Sequence, residues 1–519
     1  MANDVEKLQR HPKFAARWQN AQQQLLSGKA AAALAAYRDL VQRFPGVAQL
    51  WFELGIAAMS DLQFALTEQA FARAEELAPR DADLLVLLGQ QYHRLRRLDS
   101  AARCFENAVA ANPSSAHARL SLASWHERAN RLAEAAAVIE ACLAQHPGDA
   151  QVRCVQALVL QRQGRNGEAE AILRELLKAD RVSPNVAVSA RHQLAVVLDG
   201  LGNYPEAMRW LNASKDCARQ SANVSRMQQD YDLADRQRRE LLATLTTETL
   251  RRWQQEPPPE KVPPHLAFLG GHPRSGTTLL EQILGAHPNL LAFDESEAFA
   301  QEIWHALAPL QAAHGLALAA LDTLSPARRL ELRSRYFKSL LREAADTNPN
   351  RLWLDKNPSP TAALPLWLRL FPQLKVVIAL RDPRDVLISC YFQNLMLTPT
   401  NANFLSLERT AKHYSDLMDV WLRVRELGGF DWVETKYEDL VRNVEIESRR
   451  VTEFLGLTWH PDQAQHHVAA QRKTAFSPTY ADAAKAVHTR AVGRWQRYAE
   501  ALAPIQERLA PYCRALGYN

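Results

Sequence analysis

The sequence predicts a multidomain protein, in which an all-α N-terminal half built from a repeated unit precedes an α/β domain with a parallel sheet. Two observations carry this prediction. Prolines recur at a constant spacing in the first part of the chain, at Pro45, Pro79, Pro113 and Pro147. Beyond residue 264, short apolar runs alternate with segments of helical periodicity, as expected of alternating strands and helices.

A period of 34 residues organises the N-terminal half. The positions that agree from copy to copy are small or aromatic, such as Gly89, Tyr92, Ala101, Phe105 and Ala108 before Pro113. Small residues let two helices approach closely, aromatic ones fill the gap between them, and proline ends the second helix. The pattern resembles the tetratricopeptide repeat, a helix–turn–helix unit, and about six copies over 14–220 are predicted, which makes this half a solenoid.

The repeat half is predicted to serve recognition. A stack of such repeats has a concave face suited to a protein or peptide segment, and no repeat contains a nucleophile–base pair. Residues 221–263, a polar helix followed by EPPPEKVPP, are predicted to be a linker. Residues 264–519 are then the second domain.

Composition excludes several classes of partner. The net charge is only +5, so nucleic acid is not an expected partner. The six cysteines show no CxxC spacing, which argues against a zinc site and a disulfide framework. The first residues are charged, and no apolar run reaches the length of a spanning helix, so no signal peptide, no membrane association and a cytoplasmic location are expected. The oligomeric state is left open, with a homodimer as one option.

The start of the second domain predicts a phosphate-binding loop. Residues 265–271 are a short apolar run, HPRSGTT follows, and the next segment has helical spacing. In a strand–loop–helix of this kind, backbone N–H groups and a helix N-terminus bind an anion. Thr277 stands where a nucleotide P-loop has lysine, which argues against ATP or GTP and hence against a P-loop kinase. Arg274 inside the loop favours a donor with a short anionic 5′ end.

Two segments together resemble the sulfotransferases, most closely the tyrosylprotein sulfotransferase branch. PRSGTT is similar to the family's 5′-phosphosulfate loop. In 374–392, Arg381 ends a Val- and Ile-rich run and Ser389 follows in a helix, as in the family's 3′-phosphate element. The resemblance covers 264–519 and implies a P-loop-like sulfotransferase domain that uses 3′-phosphoadenosine 5′-phosphosulfate, releases adenosine 3′,5′-bisphosphate and needs no metal.

The resemblance also implies the residues of the site. The donor-binding set is Arg274, Ser275, Gly276, Thr277, Thr278, Arg381, Ser389, Tyr437, Thr479, Lys485 and Arg494. The implied catalytic residues are Glu295 as general base, Lys356 and Arg274 as cations on the bridging oxygen, and Thr479 at the place of a family serine. Gln393 stands where the tyrosylprotein branch has an arginine, which leaves that contact with the 3′-phosphate open.

The neighbouring polar residues are interpreted more plainly. Asp294 and Glu297 are expected to be a solvated helix start, and His272 to be structural. Asp355 is expected either to have a structural role or to orient Lys356. The sequence thus predicts a sulfotransferase that acts on a hydroxyl, with a peptide tyrosine favoured. The alternatives are a saccharide or small-metabolite acceptor, and a non-catalytic repeat scaffold with a degenerate nucleotide-binding domain.

Overall fold

The computed structural model describes residues 11–518, with gaps at 28, 62, 96, 179–181, 221–222, 256–264, 311–316, 345–347, 349 and 467–486. The chain divides into two compact units, Met1–Ile172 and Leu173–Asn519. This division is based on spatial contacts, whereas the boundary predicted at 220 follows from the repeat pattern and the one at 264 from the proline-rich stretch before it. Both boundaries stay predictions.

The first unit consists of helices that follow one another in pairs. They are α1 Pro12–Leu26, α2 Ala30–Arg43, α3 Ala48–Ser60, α4 Phe64–Leu77, α5 Ala82–Arg94, α6 Leu98–Ala111, α7 Ala116–Arg128, α8 Leu132–Leu143, α9 Ala150–Arg162 and the start of α10 Asn166–Lys178. The first helix of each full pair begins 34 residues after the last, at Ala48, Ala82, Ala116 and Ala150. The recurring prolines follow helix ends, as expected of a residue that cannot continue a helix.

Glycine sets the distance between the helices of a pair. A Cβ added at Gly89 would lie 2.7 Å from the ring of Phe105, and one added at Gly55 would lie 2.3 Å from the ring of Phe71. Both rings are buried. The period in the sequence therefore records close ring-to-backbone packing inside each pair.

The second unit begins with four further helices. They are α11 Pro184–Gly200, α12 Tyr204–Arg219, α13 Val224–Thr244 and α14 Thr247–Gln255. We call α11 and α12 the last helical pair. It extends the register of the earlier pairs, since Pro184 lies 34 residues after Ala150.

A five-stranded parallel sheet forms the centre of the second unit. Its strands are β1 Leu266–Gly271, β2 Leu290–Asp294, β3 Leu352–Lys356, β4 Lys375–Leu380 and β5 Trp432–Lys436, in the spatial order β2-β3-β1-β4-β5. Every neighbouring pair is parallel. β1 is buried along its whole length, as expected of a central strand covered on both faces. The predicted architecture, helical repeats followed by a parallel α/β domain, is confirmed.

Helices cover both faces of the sheet. They are α15 Thr277–Gly285, α16 Leu318–Asp322, α17 Pro326–Glu343, α18 Leu364–Leu370, α19 Pro383–Tyr391, α20 Leu407–Leu427, α21 Tyr437–Arg442, α22 Val444–Phe454, α23 Ala499–Leu502 and α24 Gln506–Ala515. Alternate residues of β1 enter different cores: Phe268 packs in a cluster with Trp367, and Leu269 packs in one with Leu280. In the described part of the chain, no helix is long and apolar enough to cross a membrane.

Candidate active site

The polar residues of interest lie where the strands end. In a parallel sheet all carboxyl ends meet at one edge, and ligands bind there at the point where the connections leave in opposite directions. β1 is that point, because β3 lies on one side of it and β4 on the other. The residues that end or follow the five strands at this edge are Gly271, Glu295, Lys356, Arg381 and Tyr437.

The loop between β1 and α15 is held by residues without a Cβ. Gly271 has a φ of 123°, and a Cβ there would lie 2.3 Å from the carbonyl oxygen of Ala379 in β4. Gly276 has a φ of 91°, and a Cβ there would lie 2.6 Å from the ring of Tyr437. Thr361 fixes the strand end, because its hydroxyl accepts the Gly271 N–H at 2.9 Å. The loop can therefore present its backbone N–H groups, and the N-terminus of α15, to an anion.

Arg274, Arg381 and Ser389 lie together beside this loop. The Nε of Arg274 donates to the hydroxyl of Ser389 at 3.1 Å. Arg381 donates to the backbone carbonyl of Arg274 at 3.2 Å, and its guanidinium lies 4.7 Å from the centre of the Tyr437 ring. The structure thus brings together the loop arginine and both members of the predicted 3′-phosphate element.

The segment that follows the undescribed residues 467–486 is hydrogen-bonded to Arg381 and to the helix α19 after it. Arg381 also donates to the carbonyl of Ala491. The carboxylate of Asp385 in α19 accepts the N–H groups of Gly493 at 2.8 Å and Trp495 at 2.7 Å. Burial raises the pKa of Asp385, although Arg381 and these N–H groups act in the opposite direction. Asp385 was not predicted from the sequence, since nothing local marks its distant backbone partners.

A buried cation and two carboxylates form the other end of the site. Lys356 ends β3 with no exposed surface, and its Nζ lies 3.0 Å from a carboxylate oxygen of Glu295. It also forms an ion pair with Asp294 and lies 3.5 Å from the Thr278 hydroxyl. Asp294 ends strand β2, so the expectation that it belongs to a solvated helix start is wrong. The exposed Glu297 is not part of this cluster.

Charge keeps Lys356 protonated despite its burial. Burial alone would lower the pKa of Lys356, but the carboxylates of Glu295, Asp294 and Glu281 outweigh it and raise that pKa. Glu295 keeps about a third of its side chain exposed (35%), so it is open on the cavity side. Asp355 points elsewhere, because one of its oxygens accepts the Tyr336 hydroxyl at 2.7 Å in the interior.

A cavity of about 460 Å³ connects the two ends of the site. Its lining includes Arg274, Gly276, Thr277, Thr278, Glu295, Arg381, Ser389, Gln393, Tyr437 and Arg494. Three arginines, a hydroxyl and loop N–H groups are a donor set that suits the phosphates of a nucleotide. The residues present therefore fit the implied 3′-phosphoadenosine 5′-phosphosulfate. The same cavity continues past neutral residues at Leu395, Thr400 and Phe404.

His272 is buried beneath the loop and lines no part of this cavity. Its Nε2 lies 2.9 Å from Nδ1 of His413, and its Nδ1 lies 2.8 Å from the carbonyl oxygen of Pro273. Burial lowers the pKa of His272 to about 4. A fully buried neutral histidine that bonds to its own loop is a structural element, in agreement with the interpretation of the sequence.

The last helical pair contributes residues that sequence reasoning missed. Asp199 of α11 forms an ion pair with Arg494 at 2.9 Å and accepts the Tyr498 hydroxyl. His192 of the same helix lies 2.8 Å from the carbonyl oxygen of Phe392. From α12, Lys215 donates to the carbonyl of Gln393 at 2.5 Å. The repeat signature marks only core positions, so it gives no signal for these contacts.

Thr479 and Lys485 lie outside the described residues. Gln393 does line the cavity, and its side-chain amide donates to the Ser389 carbonyl at 3.0 Å. Within the described ranges, no group of three or more His, Cys, Asp or Glu side chains is arranged to hold a metal ion.

Comparison with known proteins gives the same two parts. Residues 264–461 match the model of the sulfotransferase family, and residues 86–150 and 154–222 match a tetratricopeptide-repeat model. A putative protein-tyrosine sulfotransferase of Caenorhabditis briggsae is 23% identical over 49% of this chain and 89% of its own length. An uncharacterized protein of Aquifex aeolicus is 25% identical over 64% of this chain and 43% of its own length, so the chain spans less than half of that relative. The solved sulfotransferase domain of the Synechococcus PCC 7002 olefin synthase is 22% identical, covers 47% of this chain and 91% of its own, and has a TM-score of 0.32.

The chain therefore combines tetratricopeptide repeats with a domain of the sulfotransferase family. Within that family it resembles the protein-tyrosine sulfotransferases, at low identity.

Proposed function

We propose that the chain transfers a sulfuryl group from 3′-phosphoadenosine 5′-phosphosulfate to an acceptor hydroxyl, and that a peptide tyrosine is the acceptor. The observation that carries this proposal is the ion pair between the partly exposed Glu295 and the buried Lys356, 3.0 Å apart. Glu295 lines a cavity that is also lined by Arg274, Arg381 and Ser389. The names of the relatives support a tyrosine acceptor.

In this mechanism the protein forms no covalent bond to the substrates. It positions the acceptor and the donor and stabilises the charge that develops between them. Glu295 takes the proton of the acceptor hydroxyl as its oxygen forms a bond to sulfur on the side opposite the leaving phosphate. The bond from sulfur to the bridging oxygen breaks, and the negative charge that builds up there is met by Lys356 and Arg274. Thr479 is proposed to contact the sulfonate.

The donor is proposed to be held at its two anionic ends. The loop residues Ser275, Gly276, Thr277 and Thr278 bind the 5′ end. At the other end Arg381 and Ser389 bind the 3′-phosphate, with Tyr437, Lys485 and Arg494 closing over the nucleotide. Lys356 has carboxylates as neighbours in the free protein, so an anionic donor competes with Glu295 for its ammonium and leaves that carboxylate to act as base.

The repeats are proposed to recruit a protein or peptide segment along their concave face. In a protein with a separate recognition part, substrate choice is divided between that part and the loops around the cavity. We propose that the repeats over 14–220 bind the acceptor chain, while the domain over 264–519 performs the transfer.

The replacement Glu295→Gln tests the base assignment. It keeps the shape of the side chain but cannot accept a proton, so we expect kcat to fall by a factor of about 10²–10⁴. The measurement is transfer of radiolabelled sulfate from the donor to a tyrosine-peptide library. Glu297→Gln is the matched control, because Glu297 is exposed and lies outside the cavity lining, and it should keep full activity.

Nucleotide binding separates loss of chemistry from loss of fold. Both variants should bind adenosine 3′,5′-bisphosphate at least as tightly as the unmodified protein, and neither should respond to ATP. Transfer that persists in Glu295→Gln overturns the base assignment. Tight binding of the bisphosphate without transfer to any acceptor class would instead favour the non-catalytic scaffold.

A further inference from the structure

A buried lysine from the last helical pair lies behind one end of the cavity. Lys215 is only 5% exposed, and its Nζ donates to the carbonyl oxygen of Gln393. The ammonium also lies 5.5 Å from the centre of the Tyr391 ring. Gln393 itself lines the cavity, and Tyr391 is next to Cys390, which also lines it. Lys215 thus reaches the wall of the site from a helix of the repeat region.

This ammonium has no counter-ion among the described residues. No carboxylate of the described chain forms an ion pair with Lys215, and its polar contacts there are a carbonyl and an aromatic face. Burial lowers the pKa of Lys215 to about 8, against a raising effect of Cys390, so the side chain is mostly protonated at pH 7. A buried charge without an ion-pair partner costs stability, and such groups are enriched at functional sites.

The position of Lys215 meets an electrostatic need of the cavity. Ser389 lies in the last turn of α19, and the carboxyl end of a helix carries partial negative charge that disfavours a bound anion. Arg274 donates to the Ser389 hydroxyl from the loop, and Arg381, which follows β4, donates to the carbonyl of Arg274. Gln393, just beyond the helix, is neutral. Among the described residues, Lys215 is the cationic side chain that donates to a backbone carbonyl just beyond that helix end, the carbonyl of Gln393.

We propose that Lys215 supplies, from the last helical pair, the positive charge that makes the end of α19 able to bind the 3′-phosphate of the donor. It acts through the end of α19 as a positioning residue and has no part in sulfuryl transfer. This inference rests on the proposed function, because it takes the anion bound at Ser389 to be the 3′-phosphate. It makes the last helical pair a part of the donor site.

The test compares two nucleotides that differ only in the 3′-phosphate. Binding of adenosine 3′,5′-bisphosphate and of adenosine 5′-phosphate is measured by calorimetry on the full chain at pH 7, for the unmodified protein and for Lys215→Met and Lys215→Arg. Methionine keeps most of the length of the side chain without its charge, and arginine keeps the charge. Lys215→Gln is a second neutral variant, used if the methionine protein does not fold.

A charge effect on the 3′-phosphate has a specific signature. Lys215→Met should weaken bisphosphate binding about tenfold and change 5′-phosphate binding by less than about twofold, as a buried cation some ångströms from one phosphate would. Lys215→Arg should restore most of the bisphosphate affinity. The melting temperature of the free Lys215→Met protein should be unchanged or higher, whereas a purely structural role would lower it.

Failure of the role proposed for Lys215 and failure of the proposed function give different binding results. If the neutral variant loses affinity equally for both nucleotides, or loses none, the role of Lys215 is overturned and the proposed function stands. If the unmodified protein binds neither nucleotide, the proposed function itself fails, and this inference with it.

Discussion

Two residues of the proposed chemistry have a backbone that their side chains disfavour. Arg274 has a φ of 74° and Glu295 a φ of 51°, and the other non-glycine residue with positive φ in the described chain is Asn130 in a repeat turn. The left-handed region costs a residue with a Cβ about 1–3 kcal/mol when the surrounding structure imposes it. At Glu295 the N–H is held by the carbonyl of Lys356 at 2.7 Å, which aims the carboxylate along the strand ends.

The buried pair His272 and His413 predicts acid sensitivity. Burial lowers the pKa of both below the ordinary 6.5, to about 4 for His272, and for His413 the cations Arg238, Lys412 and Arg409 add to the effect. Below pH 6.5 these two histidines therefore become protonated in the unfolded chain but stay neutral in the folded one. We expect the free energy of unfolding to fall as pH drops from 6.5 towards 4, by up to about 1.4 kcal/mol per pH unit for each histidine.

Thermal melting at pH 7.5, 6.5, 5.5 and 5.0 measures this dependence in the transition that adenosine 3′,5′-bisphosphate shifts. His413→Gln removes one of the two titrating groups, so its melting temperature should fall less steeply over the same range. An equal slope in both proteins would assign the acid sensitivity to carboxylates instead. Bisphosphate binding at pH 7.5 checks that the variant keeps the loop in place.

Local sequence motifs were sufficient to predict the site residues that belong to one continuous segment of the chain. The order of glycine, arginine and hydroxyl residues marks the loop, and a strand followed by a helix places Arg381 near Ser389. No such signal exists for Lys215 or Asp199. Each meets a partner nearly two hundred or more residues away, and such pairing depends on the packing of the whole second unit. The positive φ of Glu295 could not be predicted either, because a glutamate in the sequence does not indicate a left-handed backbone.

Among the elements, the strands were predictable to different degrees. β1 and β4 are apolar, flanked by loop residues and enriched in β-branched or small residues, so periodicity and length suffice. β2 has only four apolar residues before Asp294, and such a short run does not distinguish a strand from the start of a helix. For this reason the sequence predicts a solvated helix start, and not a strand end, at Asp294 and Glu297.

The helical pairs of the first unit predict an effect of a single methyl group. In Gly89→Ala the new Cβ would lie 2.7 Å from the Phe105 ring, which is itself packed in a buried cluster. We expect a loss of about 1–3 kcal/mol in the stability of the first unit, because the core must shift to admit the methyl group. The readout is the melting transition that the bisphosphate does not shift.

Gly167→Ala is the matched control for this change. Gly167 also lies in a helix, but a Cβ there meets nothing within 4 Å, so the replacement should be neutral or slightly stabilising. Sulfate transfer to a short peptide should be the same in both variants. If Gly89→Ala melts like the unmodified protein, the glycine does not set the helix spacing.

At the scale of the whole molecule, the proposed division of labour predicts how acceptor length affects kinetics. If the repeats hold the acceptor chain, a long acceptor gains a second attachment that a short peptide with the same tyrosine lacks. KM for the long acceptor should be at least about tenfold lower, with kcat unchanged, because binding remote from the reacting oxygen is equal in the ground and transition states.

Competition distinguishes recruitment from a better fit at the cavity. A tyrosine-free version of the long acceptor should raise KM for the intact long acceptor and leave KM for the short peptide as it was. Equal KM values for long and short acceptors would show that the repeats bind some other partner.

The contacts of the last helical pair also determine where this chain can be recombined. Its helices α11 and α12 resemble recognition modules, yet His192, Asp199 and Lys215 hold backbone and side chains that border the cavity. A chimaera with a different recognition array should therefore be joined before Pro184, with the last pair kept as native sequence. A join in the proline-rich stretch after residue 255 would instead replace the helices that contact the cavity wall by a foreign surface.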